Sequence, residues 1–179
     1  WIGRFSSEKN LPLILKAFQH LKKTHPKTSL ILAGPTREEI TVIAGELNGI
    51  TILGKVDYAD LPRLYRSVDV LVSTSRYEGY GRIFIEALFC DLPVMATPTA
   101  GFLEAVPPDL QIQFPSDEIS LANCLRHFIE NHDKKNFLEK VTLFKAHFKK
   151  YDAAVTDITQ TWQKLMGKKW SWFLSHKNW

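Results

Sequence analysis

Two glutamates eight residues apart, Glu78 and Glu86 in the stretch EGYGRIFIE, are the side chains best placed to do chemistry. Glu86 interrupts an apolar helical run, with Ile83-Phe84-Ile85 before it and Ala87-Leu88-Phe89 after it. Apolarity on all sides marks a buried helix. A carboxylate in such a helix needs a partner or a ligand, because burying an unpaired charge is costly. Glu78 stands just before Gly79 and Gly81, where a strand is expected to turn into that helix. One acid thus lies at the mouth of a strand–turn–helix unit and the other about two turns inside it, a pair suited to a polyhydroxylated ligand. Near the start, Arg4 offers a fork of donors and Lys9 a mobile point charge; together they suit a diphosphate. Gly79 and Gly81 let the backbone approach phosphate or sugar closely, and the helix starting near Arg82 adds an N-terminal dipole.

These residues need a scaffold of alternating strands and helices. Residues 1–4 read as the stump of a strand. Asn10 is expected to cap a helix bearing Leu11, Ile14, Phe18 and Leu21, with Pro12 in its first turn. Residues 29–33, an apolar run ended by Gly34-Pro35, form a buried strand, followed by a helix over 36–47 and a strand over 50–53. Asp60 is expected to cap a helix over 61–67. Then come a strand over 69–73, the buried helix over 82–90 and a strand over 93–96. A short helix near 102–106 and a weak strand over 111–114 complete the alternation. Short apolar strands separated by helices indicate a parallel sheet covered on both faces. After Pro115 the pattern is purely helical, with three core stripes: Leu121, Leu125 and Phe128; Phe137, Val141, Phe144 and Phe148; and Val155, Ile158, Trp162 and Leu165. The expectation is a doubly wound, Rossmann-like α/β domain over 1–166 with extra C-terminal helices, followed by an aromatic and basic tail over 167–179. In such a sheet ligands bind beyond the carboxyl ends of the strands. The loops holding Arg4 and Lys9, Gly54-Lys55, Glu78 to Gly81, and 97–104 should therefore share one edge.

Size and composition fit this architecture. The 179 residues suit one domain, and 45% hydrophobic residues are ample for a core. No apolar run approaches the roughly 20 residues of a spanning helix, and no stretch of these residues reads as a secretory signal peptide. Cys90 and Cys124 lie far apart in apolar stretches and read as buried, reduced thiols, which suggests a cytoplasmic compartment. The six histidines do not cluster, so no metal site is expected. The net charge of +4 is uneven: residues 130–179 hold ten lysines against five acids. Nothing beyond charge speaks for nucleic acid, and the excess is also compatible with an anionic membrane surface or with solubility alone.

Taken jointly, Gly3-Arg4, Lys9, Glu78-Gly79-Tyr80-Gly81, Glu86-Ala87 and Pro93-Val94 resemble the pattern of retaining glycosyltransferases of the GT-B fold, in particular glycosyltransferase family 4. The resemblance runs from residue 1 to about 166. It implies the donor-binding, C-terminal half of a GT-B fold, moving a hexosyl group from a nucleoside-diphosphate sugar to a glycan or lipid-linked acceptor, as in polysaccharide or lipopolysaccharide biosynthesis. It implies that Arg4 and Lys9 hold the diphosphate and neutralise the leaving group. Glu78 would contact the donor sugar's hydroxyls, Glu86 the ribose hydroxyls, and main-chain atoms around Lys55-Val56 the base. Gly3, Gly79, Tyr80 and Gly81 complete the nucleotide-sugar-binding set. Transfer would occur on one face of the sugar, with the leaving phosphate helping to deprotonate the acceptor. No metal and no cofactor are expected, since the nucleotide sugar is a substrate.

In that family an acceptor domain precedes this half. The chain begins inside its first strand, so it reads as a C-terminal domain, inactive alone, whose partner is that missing N-terminal domain. Three departures stand out. Asp91-Leu92 replaces a Gly before Pro-Val, Thr74-Ser75 replaces Pro-Ser, and Ala100-Gly101 replaces a Gly-Gly pair. Alternatives remain at each site: Arg4 and Lys9 as a solvated loop, Glu86 paired with an arginine such as Arg66, and Glu78 bracing its own loop. Another GT-B activity, such as a nucleotide-sugar epimerase or a sugar phosphorylase, and a non-catalytic nucleotide- or sugar-binding module are the competing functions. The tail carries three of the five tryptophans, Trp170, Trp172 and Trp179. It either covers an apolar surface or touches the cytoplasmic membrane face.

Overall fold

The computed structural model describes residues 1–44 and 47–148. The stripe at Val155, Ile158, Trp162 and Leu165, the boundary at 166 and the tail over 167–179 lie outside the described residues. The chain divides into two units, 1–141 and 142–179. Of the second, only 142–148 are described; they are helical, with the Phe144 and Phe148 rings 5.1 Å apart.

The first unit alternates as its hydrophobic pattern requires. Its strands are β1 (Leu30–Ala33), β2 (Ile50–Gly54), β3 (Leu71–Ser73), β4 (Val94–Ala96) and β5 (Gln111–Gln113). Its helices are α1 (Leu11–Thr24), α2 (Arg37–Ala44), α3 (Leu61–Arg66), α4 (Arg82–Phe89), α5 (Ala100–Ala105) and α6 (Glu118–Asn131), with residues 134–141 helical after them. Every strand pair is parallel, as crossovers through helices demand. Instead of one continuous ladder there are two, β1-β2 and β3-β4-β5. The stump at the start contributes a single parallel bridge, Ile2 to Ala33. Side chains make the join between the ladders: the buried Trp1 indole donates to Thr74 Oγ1 at 3.1 Å, and Thr74 Oγ1 donates to the Lys9 carbonyl at 2.9 Å.

One core cluster draws Leu11, Ile14, Phe18 and Leu21 of α1 together with Leu30 and Leu32 of β1, Val72 of β3, Met95 of β4 and Leu121, Leu125 and Phe128 of α6. The first stripe read after Pro115 is therefore core, and so are Phe137 and Val141 of the second. Each such side chain, fully buried, stabilises the fold by about 1.5–3 kcal/mol. Outside that cluster α4 meets α5 through Phe84 and Phe102, ring centroids 5.0 Å apart and nearly edge-on.

The helix boundaries form by other means than those expected. Asn10 marks the start of α1 with a left-handed backbone (φ 46°), and its side chain caps nothing. Asp60 precedes α3 without a side-chain cap either. A capping box does open α2: the Thr36 amide donates to Glu39 Oε2 at 2.8 Å and the Glu39 amide to Thr36 Oγ1 at 3.3 Å. Asp117 caps α6 by accepting from the Ser120 amide at 2.8 Å. Asp91 takes the left-handed turn (φ 59°) that a glycine would otherwise supply after α4. Cys90 and Cys124 are free but half-buried rather than buried, and burial pushes the Cys124 thiol up.

Candidate functional site

Parallel pairing sends the loops after the strands to one end, and close backbone approaches hold them there. Gly3 donates to the Ala33 carbonyl at 3.0 Å and Gly34 to the Gly54 carbonyl at 2.6 Å. Gly34 has φ 114°, and a Cβ there would stand 2.0 Å from the Gly3 oxygen, so only glycine fits. The loop after the first strand is tied to the loop after β3 by the Arg76 amide, which donates to the Glu8 carbonyl at 2.7 Å. Beneath these loops Ser73, Thr74, Ser75 and Thr97 are buried. The Ser73 and Ser75 hydroxyls stand 3.1 Å apart, and Thr97 Oγ1 donates to the Ser75 carbonyl. Ser6 Oγ and Thr99 Oγ1, on two of the loops, are buried without hydrogen-bond partners among the described residues.

Lys9 and Glu78, far apart in sequence, meet here: Lys9 Nζ donates to Glu78 Oε2 at 2.6 Å, with side chains 21% and 17% exposed. At that exposure the pair is reachable from solvent yet incompletely screened. Arg4 is exposed and has no ion pair among the described residues. Lys55 is exposed and Val56 half-buried, just past the left-handed Gly54 (φ 66°) that closes β2. Tyr80 projects into solvent at 88% exposure, and Gly79 is exposed beside it.

Gly81 and Gly101 lock the Glu78 loop onto α5. A Cβ at Gly81 (φ 60°) would lie 2.2 Å from the Gly101 oxygen, and one at Gly101 would lie 2.5 Å from the Glu78 oxygen. The Gly101 amide donates to the Glu78 carbonyl at 2.9 Å. Gly101 therefore packs the loop against α5, and Ala100 is the exposed member of the pair. Gly79 is different, since a Cβ there would meet nothing closer than the Tyr77 hydroxyl at 3.8 Å.

Glu86 departs from the sequence expectation in its surroundings. Helix α4 is buried on one face only, through Phe84, Ala87 and Leu88, while Arg82 and Phe89 are exposed. Glu86 is half-buried at the side of that face, where two tyrosines satisfy it. The Tyr65 hydroxyl donates to Oε2 at 3.0 Å and the Tyr58 hydroxyl to Oε1 at 3.4 Å, with Arg82 Nη2 3.9 Å from Oε1. Arg66, the alternative partner, instead donates to the Pro62 carbonyl at 3.2 Å. Tyr58 also carries the Lys55-Val56 turn to α4, because it lies in the one-turn helix Tyr58–Asp60 that follows that turn. Neither tyrosine was picked out from the sequence. A tyrosine in the short helical run LPRLYR had to bury its ring and find a partner for its hydroxyl, but nothing local names Glu86 as that partner. Among the described residues no group of three or more His, Cys, Asp and Glu side chains stands close enough to hold a metal ion.

The site thus offers a lysine–carboxylate pair, an exposed arginine and an exposed glycine at one end of a parallel α/β framework, with a second carboxylate oriented by tyrosines. Comparison with known proteins gives this arrangement relatives. The profile of the family described as glycosyl transferases group 1 matches residues 1–142. An uncharacterised glycosyltransferase of Methanocaldococcus jannaschii is 25% identical over 156 residues, 78% of this chain and 40% of that protein. The O-antigen chain mannosyltransferase B of Escherichia coli is 33% identical over 124 residues, 65% of this chain and 32% of that protein. The crystal structure of Anabaena HepE in complex with UDP superposes with a TM-score of 0.63 at 27% identity, covering 74% of this chain and 39% of that one. The chain spans well under half the length of these relatives.

Proposed function

The chain belongs to the family of glycosyl transferases group 1, and on that premise we propose that it is the donor-binding, C-terminal half of a retaining GT-B enzyme of glycosyltransferase family 4. Such an enzyme transfers a hexosyl group from a nucleoside-diphosphate sugar to a glycan or lipid-linked acceptor. The observation that carries this reading is the contact of Lys9 with Glu78 at 2.6 Å, on loops at one end of parallel strands. It unites a cation for the leaving phosphate with a carboxylate for sugar hydroxyls. The UDP held by Anabaena HepE supports a nucleoside diphosphate as the ligand class.

Each residue has a part in that reading. Arg4, exposed and without a counter-charge among the described residues, joins Lys9 on the diphosphate, and together they stabilise the negative charge that grows on the leaving group. Glu78 accepts from the sugar's hydroxyls, and Gly79 and Tyr80 give the donor an open approach beside it. Glu86 accepts from the ribose, with the base near main-chain atoms of Lys55 and Val56. The chain supplies no general base. The acceptor is deprotonated by the departing phosphate on the face where the new bond forms, and acceptor-side groups come from a second domain.

Calorimetric titration with UDP, GDP and ADP tests the assignment. One of them is expected to bind the chain, and Arg4→Ala with Lys9→Ala to abolish that binding, since two charge-assisted contacts of about 1.5–3 kcal/mol each are lost. Unchanged affinity in the double variant would remove the diphosphate from these residues.

A further inference from the structure

Tyr65 is 2% exposed on α3, and its hydroxyl donates to Glu86 Oε2 across to α4. Burial first, and then the Glu86 carboxylate, hold the phenol well above its ordinary pKa, so it is a protonated donor at neutral pH. The other carboxylate oxygen, Oε1, is held loosely. Its neighbours are the Tyr58 hydroxyl at 3.4 Å and Arg82 Nη2 at 3.9 Å, both on exposed residues. A carboxylate accepts about four hydrogen bonds. One side of Glu86 is therefore fixed from the interior, and Oε1 on the solvent side can accept two O–H donors once the Tyr58 hydroxyl is displaced.

We propose that Tyr65 is a positioning residue for nucleoside recognition: its buried hydroxyl fixes the Glu86 carboxylate so that Oε1 meets the ribose diol, which displaces the exposed Tyr58 hydroxyl. The inference rests on the reading of Glu86 as the ribose acceptor. It adds a residue that touches no ligand and acts through a hydrogen bond and a buried ring. Without that bond the carboxylate can turn about its terminal torsion, which is soft, and the diol meets a less ordered acceptor.

The test is Tyr65→Phe, which keeps the ring and removes only the hydroxyl. UDP, GDP and ADP are titrated beside their 2′,3′-dideoxy counterparts, which lack the whole diol, into the wild-type chain and the variant. The wild-type chain is expected to bind the ribose form more tightly. Tyr65→Phe is expected to weaken the ribose form by about 3- to 10-fold, the worth of one hydrogen bond, and to leave the deoxy form unchanged, so that discrimination shrinks by the same factor. Unchanged deoxy binding also reports that the variant is folded. Full discrimination retained in Tyr65→Phe overturns the positioning role alone. Equal weakening of both forms overturns it too, because that is what a merely structural tyrosine would give. No preference for ribose in the wild-type chain overturns the assignment of Glu86, and the inference with it.

Discussion

Lys9 and Glu78 neutralise each other at 2.6 Å, so under the proposed reading a diphosphate at Lys9 would compete with a carboxylate already in place. Removing the charge of Glu78 while keeping its shape should free Lys9. Glu78→Gln is accordingly expected to raise affinity for a bare nucleoside diphosphate about two- to fivefold, the 0.5–1 kcal/mol of a partly exposed ion pair. The corresponding nucleotide sugar should gain less, because its hydroxyls lose an anionic acceptor. Titration with UDP, GDP and ADP and with their hexose derivatives reads both effects. Weaker binding of the bare diphosphate would mean that Glu78 instead aims Lys9 at phosphate. A smaller gain for the nucleotide sugar than for the bare diphosphate is the signature of a residue shared between leaving group and sugar.

At the scale of elements, three nearby glycines have unequal duties. Gly81→Ala forces a side chain onto a backbone at φ 60° and into the Gly101 oxygen, and Gly101→Ala drives a Cβ into the Glu78 carbonyl. Each should cost about 2 kcal/mol or more in urea denaturation. Gly79→Ala meets only ordinary contact at 3.8 Å and should change stability by less than about 0.5 kcal/mol. Nucleotide-sugar binding lost in Gly79→Ala at full stability would mark that position as ligand-facing; a neutral Gly81→Ala would refute the tight seat of the Glu78 loop on α5. A second element carries a pH dependence. His132, at the end of α6, stacks on Phe128 at 4.3 Å and lies 5.6 Å from the Phe137 ring. Burial depresses its pKa below the ordinary 6.5, with Asp133 opposing and Lys134 assisting. The unfolded chain therefore binds this proton more readily, so the contribution of His132 is fully present above about pH 6.5 and is lost as pH falls below it. Melting curves near pH 7 and about 5.5 should show a smaller drop for His132→Gln than for the wild-type chain. An identical drop in both would assign that acid sensitivity to other groups.

At the scale of the whole molecule, two parallel ladders are joined through Thr74 rather than through strand pairing. Thr74→Val keeps the volume but orphans the buried Trp1 indole, and should cost about 1–3 kcal/mol in denaturant. A smaller loss would show that core packing and the Arg76–Glu8 and Lys9–Glu78 contacts hold the ladders together without Thr74. The order of strands and helices, the core stripes of α1 and α6, and the single edge for the loops were legible in the sequence. Hydrophobic period and crossover length are local properties, and parallel strands place every following loop at the same end. The candidate residues could be singled out as candidates, because a carboxylate in an apolar run and glycines before a helix are conspicuous wherever they fall. Their partners were not. Lys9 and Glu78 are 69 positions apart, Tyr65 and Glu86 are 21 apart, and only the packed fold brings them within hydrogen-bond reach. Likewise α4 looked buried all round by composition, but burial depends on what packs against each face, and α3 and α5 leave one side of it open. Residue types and spacing singled out the groups and the order of elements; the pairing of charges and hydroxyls was decided by tertiary structure, because contact between distant residues follows from how elements pack and not from the segments themselves.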